Sequence, residues 1–155
     1  MKKLFALLVL TLICQMAFCQ TYDDMIKQFK DKDGAEFTEI PKALLSVAMS
    51  GADSQTKDIF KNVEGMKMLE VSKCSPAVKK DFLDQAGKLE AKYTKFIETE
   101  DDGEFNLILF EGDEEQASAI IVVTSDAKES EMMVIEGKLS LSQLEKIFDT
   151  MDDDE

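Results

Sequence analysis

The sequence predicts an α+β domain: an antiparallel-rich sheet of about six strands, the last four forming a C-terminal meander, with helices packed on it. Three observations lead there. Periodic segments run in the order helix, strand, two helices, strand, helix, four strands, helix, with no strict strand-helix alternation. The last four strand-like runs are divided only by short polar turns, which makes them antiparallel neighbours. No repeat, linker or low-complexity block splits residues 20–151, so they form a single domain before an acidic tail at 152–155.

The elements follow in order. Thr21 to Lys32 reads as a helix, with Tyr22, Met25, Ile26 and Phe29 at helical spacing and Thr21 with Asp24 as its capping pair. Glu36 to Ile40 alternates as a strand. Pro41 suits the first position of a helix carrying Leu44, Leu45, Val47 and Ala48, and Gly51 can end it. A short helix over Ser54 to Asn62 presents Ile59 and Phe60, with Val63 just beyond it, and Gly65 to Val71 is a strand. Ser75 and Pro76 open the clearest helix, lined by Val78, Phe82, Ala86 and Leu89 and ending near Ala91. Tyr93 to Glu98, Phe105 to Phe110, Ala117 to Thr124 and Met132 to Gly137 make the meander. Ser140 and Gln143 form a capping box for a last helix with Leu141, Leu144, Ile147, Phe148 and Met151 on one stripe. Helical segments between Glu36–Ile40 and Gly65–Val71 allow those two strands to pair in parallel through a right-handed crossover.

Leu107 to Phe110, Ile120 to Val123 and Met132 to Ile135 are continuous apolar runs, where a sheet with one wet face would alternate. Both faces of the meander therefore need cover. Helices of the same chain on both sides are the favoured solution, and a homodimer or partner on one side is the alternative.

Lys2 and Lys3, the apolar stretch Leu4 to Ile13 and the ending Ala17-Phe18-Cys19 have the form of a secretory signal peptide over residues 1–19, cleaved before Gln20. The stretch is too short to span a bilayer, and no later one approaches that length, so the exported chain is expected not to be transmembrane. A periplasmic or secreted location follows. A lipid anchor on Cys19 is the alternative, disfavoured by Phe18 where a small residue belongs. Cleavage takes Lys2 and Lys3 with it and leaves 136 residues, in which 16 lysines face 32 acids for a charge of −16. Cys74 alone remains of the cysteines, expected as a buried small hydrophobe.

Histidine, arginine and tryptophan are absent. That removes His-based triads, His-ligated metals and arginine clamps, and the acidic balance makes nucleic acid a poor partner. Two Ser-x-x-Lys matches, Ser54 to Lys57 and Ser125 to Lys128, lack the companion motifs of penicillin-recognising enzymes, and Ser54 reads as a helix cap. Asp31 to Glu36 has its glycine two positions too early for an EF-hand and reads as a turn. Asp101 to Glu104 and Glu111 to Glu115 read as solvated turns. Met66, Met68, Met132 and Met133 follow strand spacing and read as packing. No catalytic, cofactor-binding or metal residue is nominated. A protein- or peptide-binding module is the leading function, with a small hydrolase using carboxylates or a Ser-Lys pair, and a cation-binding surface protein, as alternatives.

The segments Phe29-Lys30-Asp31-Lys32-Asp33-Gly34-Ala35-Glu36, Ile40-Pro41-Lys42, Cys74-Ser75-Pro76, Asp101-Asp102-Gly103 and Ile135-Glu136-Gly137-Lys138-Leu139, in that order after a leader, resemble a family of small exported proteins from Bacteroides-type bacteria known as domain of unknown function 4252. The resemblance covers nearly all of the mature chain. It implies an envelope protein, in some members beside extracytoplasmic sigma-factor systems, and hence a regulatory or stress context. It carries no catalytic residue.

Overall fold

A six-stranded sheet organises the chain in the order β1-β2-β6-β5-β4-β3, every neighbouring pair antiparallel. The structure, a computed structural model, describes residues 20–113, 115–140 and 142–143, and of Gln55 and Ile59 the backbone. The expected leader, the acidic tail and the expected last helix beyond Gln143 lie outside the described residues. Of that helix's start, the Gln143 side chain accepts from the Ser140 amide at 3.0 Å.

Helix α1 spans Tyr22–Phe29 and carries the expected capping box, the Thr21 hydroxyl accepting from the Asp24 amide at 3.0 Å while the Asp24 carboxylate accepts from Thr21. Strand β1 is Glu36–Pro41. Pro41 belongs to the strand and precedes helix α2, Lys42–Ala48, instead of opening it: its ψ of 159° is extended, and having no N–H it suits the last position of an edge strand. Helix α3 is Ser54–Phe60 and strand β2 is Val63–Glu70. Helix α4, Pro76–Lys88, is capped by the Ser75 hydroxyl and ends in a tight turn through Leu89–Ala91. The meander is β3 (Thr94–Asp101), β4 (Glu104–Gly112), β5 (Ala117–Ser125) and β6 (Ser130–Leu139).

The parallel pairing considered for the first two strands is overturned. Pro41 faces Gly65 and Glu36 faces Glu70, so β1 and β2 are antiparallel. The reason lies in the packing of α2 and α3, which set Leu45 and Phe60 on the same second-face cluster. Each has seven residues, about 10 Å of rise, and together they fold back as a hairpin that returns the chain to the end it left. A crossover would have to carry it the full length of a strand.

Both faces of the sheet are apolar, as the continuous runs require. On the first face, Leu69, Leu107, Leu109, Ile121, Val123, Met132 and Val134 are buried beneath Met25, Ile26 and Phe29 of α1 and Phe82 and Ala86 of α4. The Phe29 and Phe82 rings meet edge to face with centroids 5.6 Å apart. On the second face, Phe110, Ile120, Met133, Ile135 and Leu139 form a separate cluster, to which α2 contributes Leu45 and α3 contributes Phe60. Three backbone positions shape this framework. Asp102 (φ 47°) and Gly103 (φ 88°) make the two-residue turn between β3 and β4, both in the left-handed region that such hairpins require. Gly137 (φ 153°) sits where an added Cβ would collide with the Asn62 carbonyl oxygen, so β6 can lie tightly against the start of β2.

Replacement of Phe82 by Ala is expected to cost about 3–5 kcal/mol in denaturant unfolding, because the ring is fully enclosed between α1 and the sheet. Gly137→Ala, which deletes nothing, is expected to cost more than about 1 kcal/mol in the same measurement through backbone strain and collision.

Candidate functional site

Register turns the second face into rows that run across all six strands. One row is polar: Glu36, Glu70, Glu131, Thr124, Asn106 and Thr99 stand side by side from β1 to β3. The next is apolar, with Thr38, Met68, Met133, Val122, Ile108 and Ile97. The third, Ile40, Met66, Ile135, Ile120, Phe110 and Thr94, reaches the α2–α3 hairpin. The middle row is open toward both ends, with Met68 37% and Ile97 41% exposed. Met132 and Met133 are buried as packing residues and Met66 is half-buried, whereas Met68 is exposed.

The polar row is electrostatically loaded. Glu131 faces Glu70, and burial, with Glu129 and Glu70 nearby, pushes its carboxyl above the ordinary range. Lys73 pairs with Glu36 at the outer end. At the other side a hollow of about 150 Å³ is lined by Glu104, Asn106, Thr124, Ser125, Asp126 and Glu129. An acidic band thus borders an apolar one. The arrangement itself does not show in the sequence, because the rows exist only once register brings six strands together.

A polar cluster of a different kind fastens α1 to the first face. Lys67 points inward from β2, its side chain only 14% exposed, and reaches Glu136 Oε1 at 2.8 Å and Asp23 Oδ1 at 3.1 Å. The Tyr22 hydroxyl donates to the same Glu136 oxygen at 2.9 Å, and Lys67 Nζ lies 5.3 Å from the centroid of the Tyr22 ring. The Tyr93 hydroxyl accepts from the Tyr22 amide at 3.3 Å. Burial, the Glu136 hydrogen bond and nearby acids push the Tyr22 hydroxyl well above its usual range. Burial pulls Lys67 down, but its bonds to Glu136 and Asp23 outweigh that and hold it raised. A general base or nucleophile needs shifts of the opposite sign. The cluster is built as a clasp between helix and sheet.

The motifs singled out in the sequence are dispersed and occupied. Ser54 is the first residue of α3 and not its cap. Asp53 takes that role, its carboxylate accepting from the Thr56 amide at 3.0 Å, since a carboxylate at this position satisfies the orphan amides of the first turn. Ser125 shares a hydrogen bond with Ser130 at 2.7 Å across the β5–β6 turn. Asp113 accepts from the Gln116 amide at 2.8 Å and Asp126 from the Glu129 amide at 2.7 Å, so these acids shape turns. Among the described residues no group of three or more Asp, Glu or Cys side chains is placed to hold a metal ion, and no helix is long and apolar enough to cross a membrane. Cys74 is buried, and burial and Asp33 raise its thiol, which makes it a weak nucleophile. One feature went unread in the sequence: a cleft of about 130 Å³ between α2 and α3, with Lys42, Lys57 and Lys61 among its lining.

The clasp predicts a pH signature. Tyr22 and Lys67 are both raised in the folded protein, so their contribution is complete below the unfolded tyrosine value of about 10 and is lost as pH climbs beyond it. Tyr22→Phe is expected to cost about 1 kcal/mol at neutral pH and to flatten the loss of stability above about pH 10, read from denaturant midpoints across pH. Lys67→Ala, which strands Glu136 and Asp23, is expected to cost about 1–3 kcal/mol.

No curated protein and no solved structure matches the chain. Residues 24–147, from α1 through the meander and beyond, match the family described as Domain of unknown function (DUF4252). That span is most of the sequence, and the chain belongs to this family.

Proposed function

We propose that the protein is an exported envelope module without enzymatic activity that binds a basic amphipathic polypeptide segment on the open band of its second face. The observation that carries this reading is the juxtaposition of the acidic row at Glu70 and Glu131 with the apolar row in which Met68 and Ile97 are exposed. A segment with apolar side chains on one flank and lysine or arginine on the other complements both bands at once. Six strands span about 24 Å, the length of a helix of roughly 16 residues. A second copy of the exported chain fits the band poorly, since it brings a charge of −16 of its own, 16 lysines against 32 acids. Export is supported by the residue pattern at 1–19, and an envelope regulatory or stress role by the resemblance to exported relatives. The absence of enzymatic activity is supported by the missing His and Arg and by Tyr22 and Lys67 being held away from their reactive forms.

Titrating residues 20–155 with a 16-residue leucine-lysine amphipathic peptide tests the reading by calorimetry. Binding is expected, and the Met68→Asp/Ile97→Asp pair is expected to weaken it at least about tenfold, while a lysine peptide lacking the leucines binds only weakly and without dependence on those residues. Equal affinity of wild type and double variant overturns it, as does a stable dimer that buries the band.

Glu131→Gln supplies a second check with two opposite signs. The folded protein holds the Glu131 proton more tightly than the unfolded chain, so stability falls as pH rises through the raised carboxyl range. The amide is therefore expected to raise the melting temperature at pH 7 while weakening the peptide about two- to fivefold.

A further inference from the structure

The cleft between α2 and α3 is chemically unlike the rest of the surface. On α2, Lys42 and Leu45 are three residues apart and line it together, and so do Lys57 and Phe60 of α3 and Lys61 directly after it. Leu45, Phe60 and Val63 form its apolar floor, the first and last of them buried in the second-face cluster. Lys42, Lys57 and Lys61 are exposed at its rim. The segment 42–62 holds these three lysines against Asp53 and Asp58, a charge of +1 in a chain that totals −14. No acid lines the cleft, and Asp53 is engaged in capping α3. Among the described residues the ion-paired lysines are Lys67, Lys73, Lys80 and Lys95, none of them here.

Three lysines line one apolar-floored hollow, and like charges held around a common space repel each other unless an anion offsets them. In a chain with 32 acids, their lack of an acidic neighbour in the lining marks the cleft as complementary to something negative. Its size sets the rest. A cavity of roughly 150 Å³ holds a benzene-sized apolar body, and this one measures about 130 Å³. We infer that the α2–α3 cleft binds a small organic carboxylate, its apolar body of about six to eight carbons on Leu45, Phe60 and Val63 and its head group among Lys42, Lys57 and Lys61. The Ser46 hydroxyl donates to the Lys42 carbonyl at 2.9 Å, so the ammonium groups are the donors left for the head group. This site lies at the hairpin end of the second face, away from the acidic row, and stands independently of the polypeptide reading.

Octanoate is the probe, followed by amide NMR shifts of residues 20–155, with octanol and inorganic phosphate as controls that keep one half of the chemistry each. Octanoate is expected to shift resonances within residues 42–63 and to bind at least about tenfold more tightly than either control. The Lys57→Gln/Lys61→Gln variant, altered only at exposed positions, is expected to weaken octanoate about tenfold and leave the amphipathic-peptide titration unchanged. Ser46→Trp, which fills the cleft from its rim, is expected to abolish the shifts. Equal binding of octanoate and octanol, shifts scattered outside residues 42–63, or octanoate affinity unchanged in the lysine variant each overturn the inference. Loss of peptide binding alone bears on the second-face band and leaves this site standing.

Discussion

A sheet that is apolar on both faces must be covered twice, and most of this molecule follows from that demand. Burial of apolar surface is the main favourable term in folding, so neither face can be left wet without cost. The two helices with the best-formed caps, α1 and α4, both lie on the first face, where Phe29 and Phe82 interlock over the strands. The second face receives the short hairpin of α2 and α3 at one end and a row of carboxylates at the other. Between them lies the band that gives the protein its most distinctive surface. Asymmetric cover, and not any single reactive group, is what sets this domain apart.

The clasp at Lys67 illustrates how few charged groups the interior uses. With no arginine in the chain, the task falls to a lysine, whose compact charge reaches two carboxylates from a single flexible stem. Its partners come from α1 and β6, and Tyr22 and Glu136 are 114 positions apart in sequence. One constellation therefore couples the first described helix to the last described strand. The acids elsewhere do quieter work: Asp53, Asp113 and Asp126 accept from backbone amides, replacing hydrogen bonds that the chain itself cannot make at those bends.

The meander was legible because its runs are continuous and its turns are marked by Asp-Gly and Gly-Asp pairs, so local pattern and final structure agree. Capping at Thr21 and Ser75 was legible for the same reason. The direction of β2 was not, because two short helices between strands are compatible with either a crossover or a return, and only their packing decides. Pro41 suits a strand end as well as a helix start, and pairing with Gly65 made the choice. The rows of the second face needed register, and the Lys67 clasp needed contacts across 44 and 69 positions, neither of which periodicity records. The lysine cleft left one trace that reading by windows would have found: a positive stretch inside an acidic chain.

The two borders of the sheet carry a consequence for life in a crowded compartment. On one side β1 is short and finishes in Pro41, which has no amide proton to offer. On the other, β3 is exposed along its whole length, dense in charge, and interrupted by an irregularity between Lys95 and Ile97 that breaks its ladder. Neither border presents the flat, regular template on which an incoming strand could seed a fibril. Strand addition is disfavoured at both ends of the sheet, which leaves its faces as the surfaces better suited to a partner.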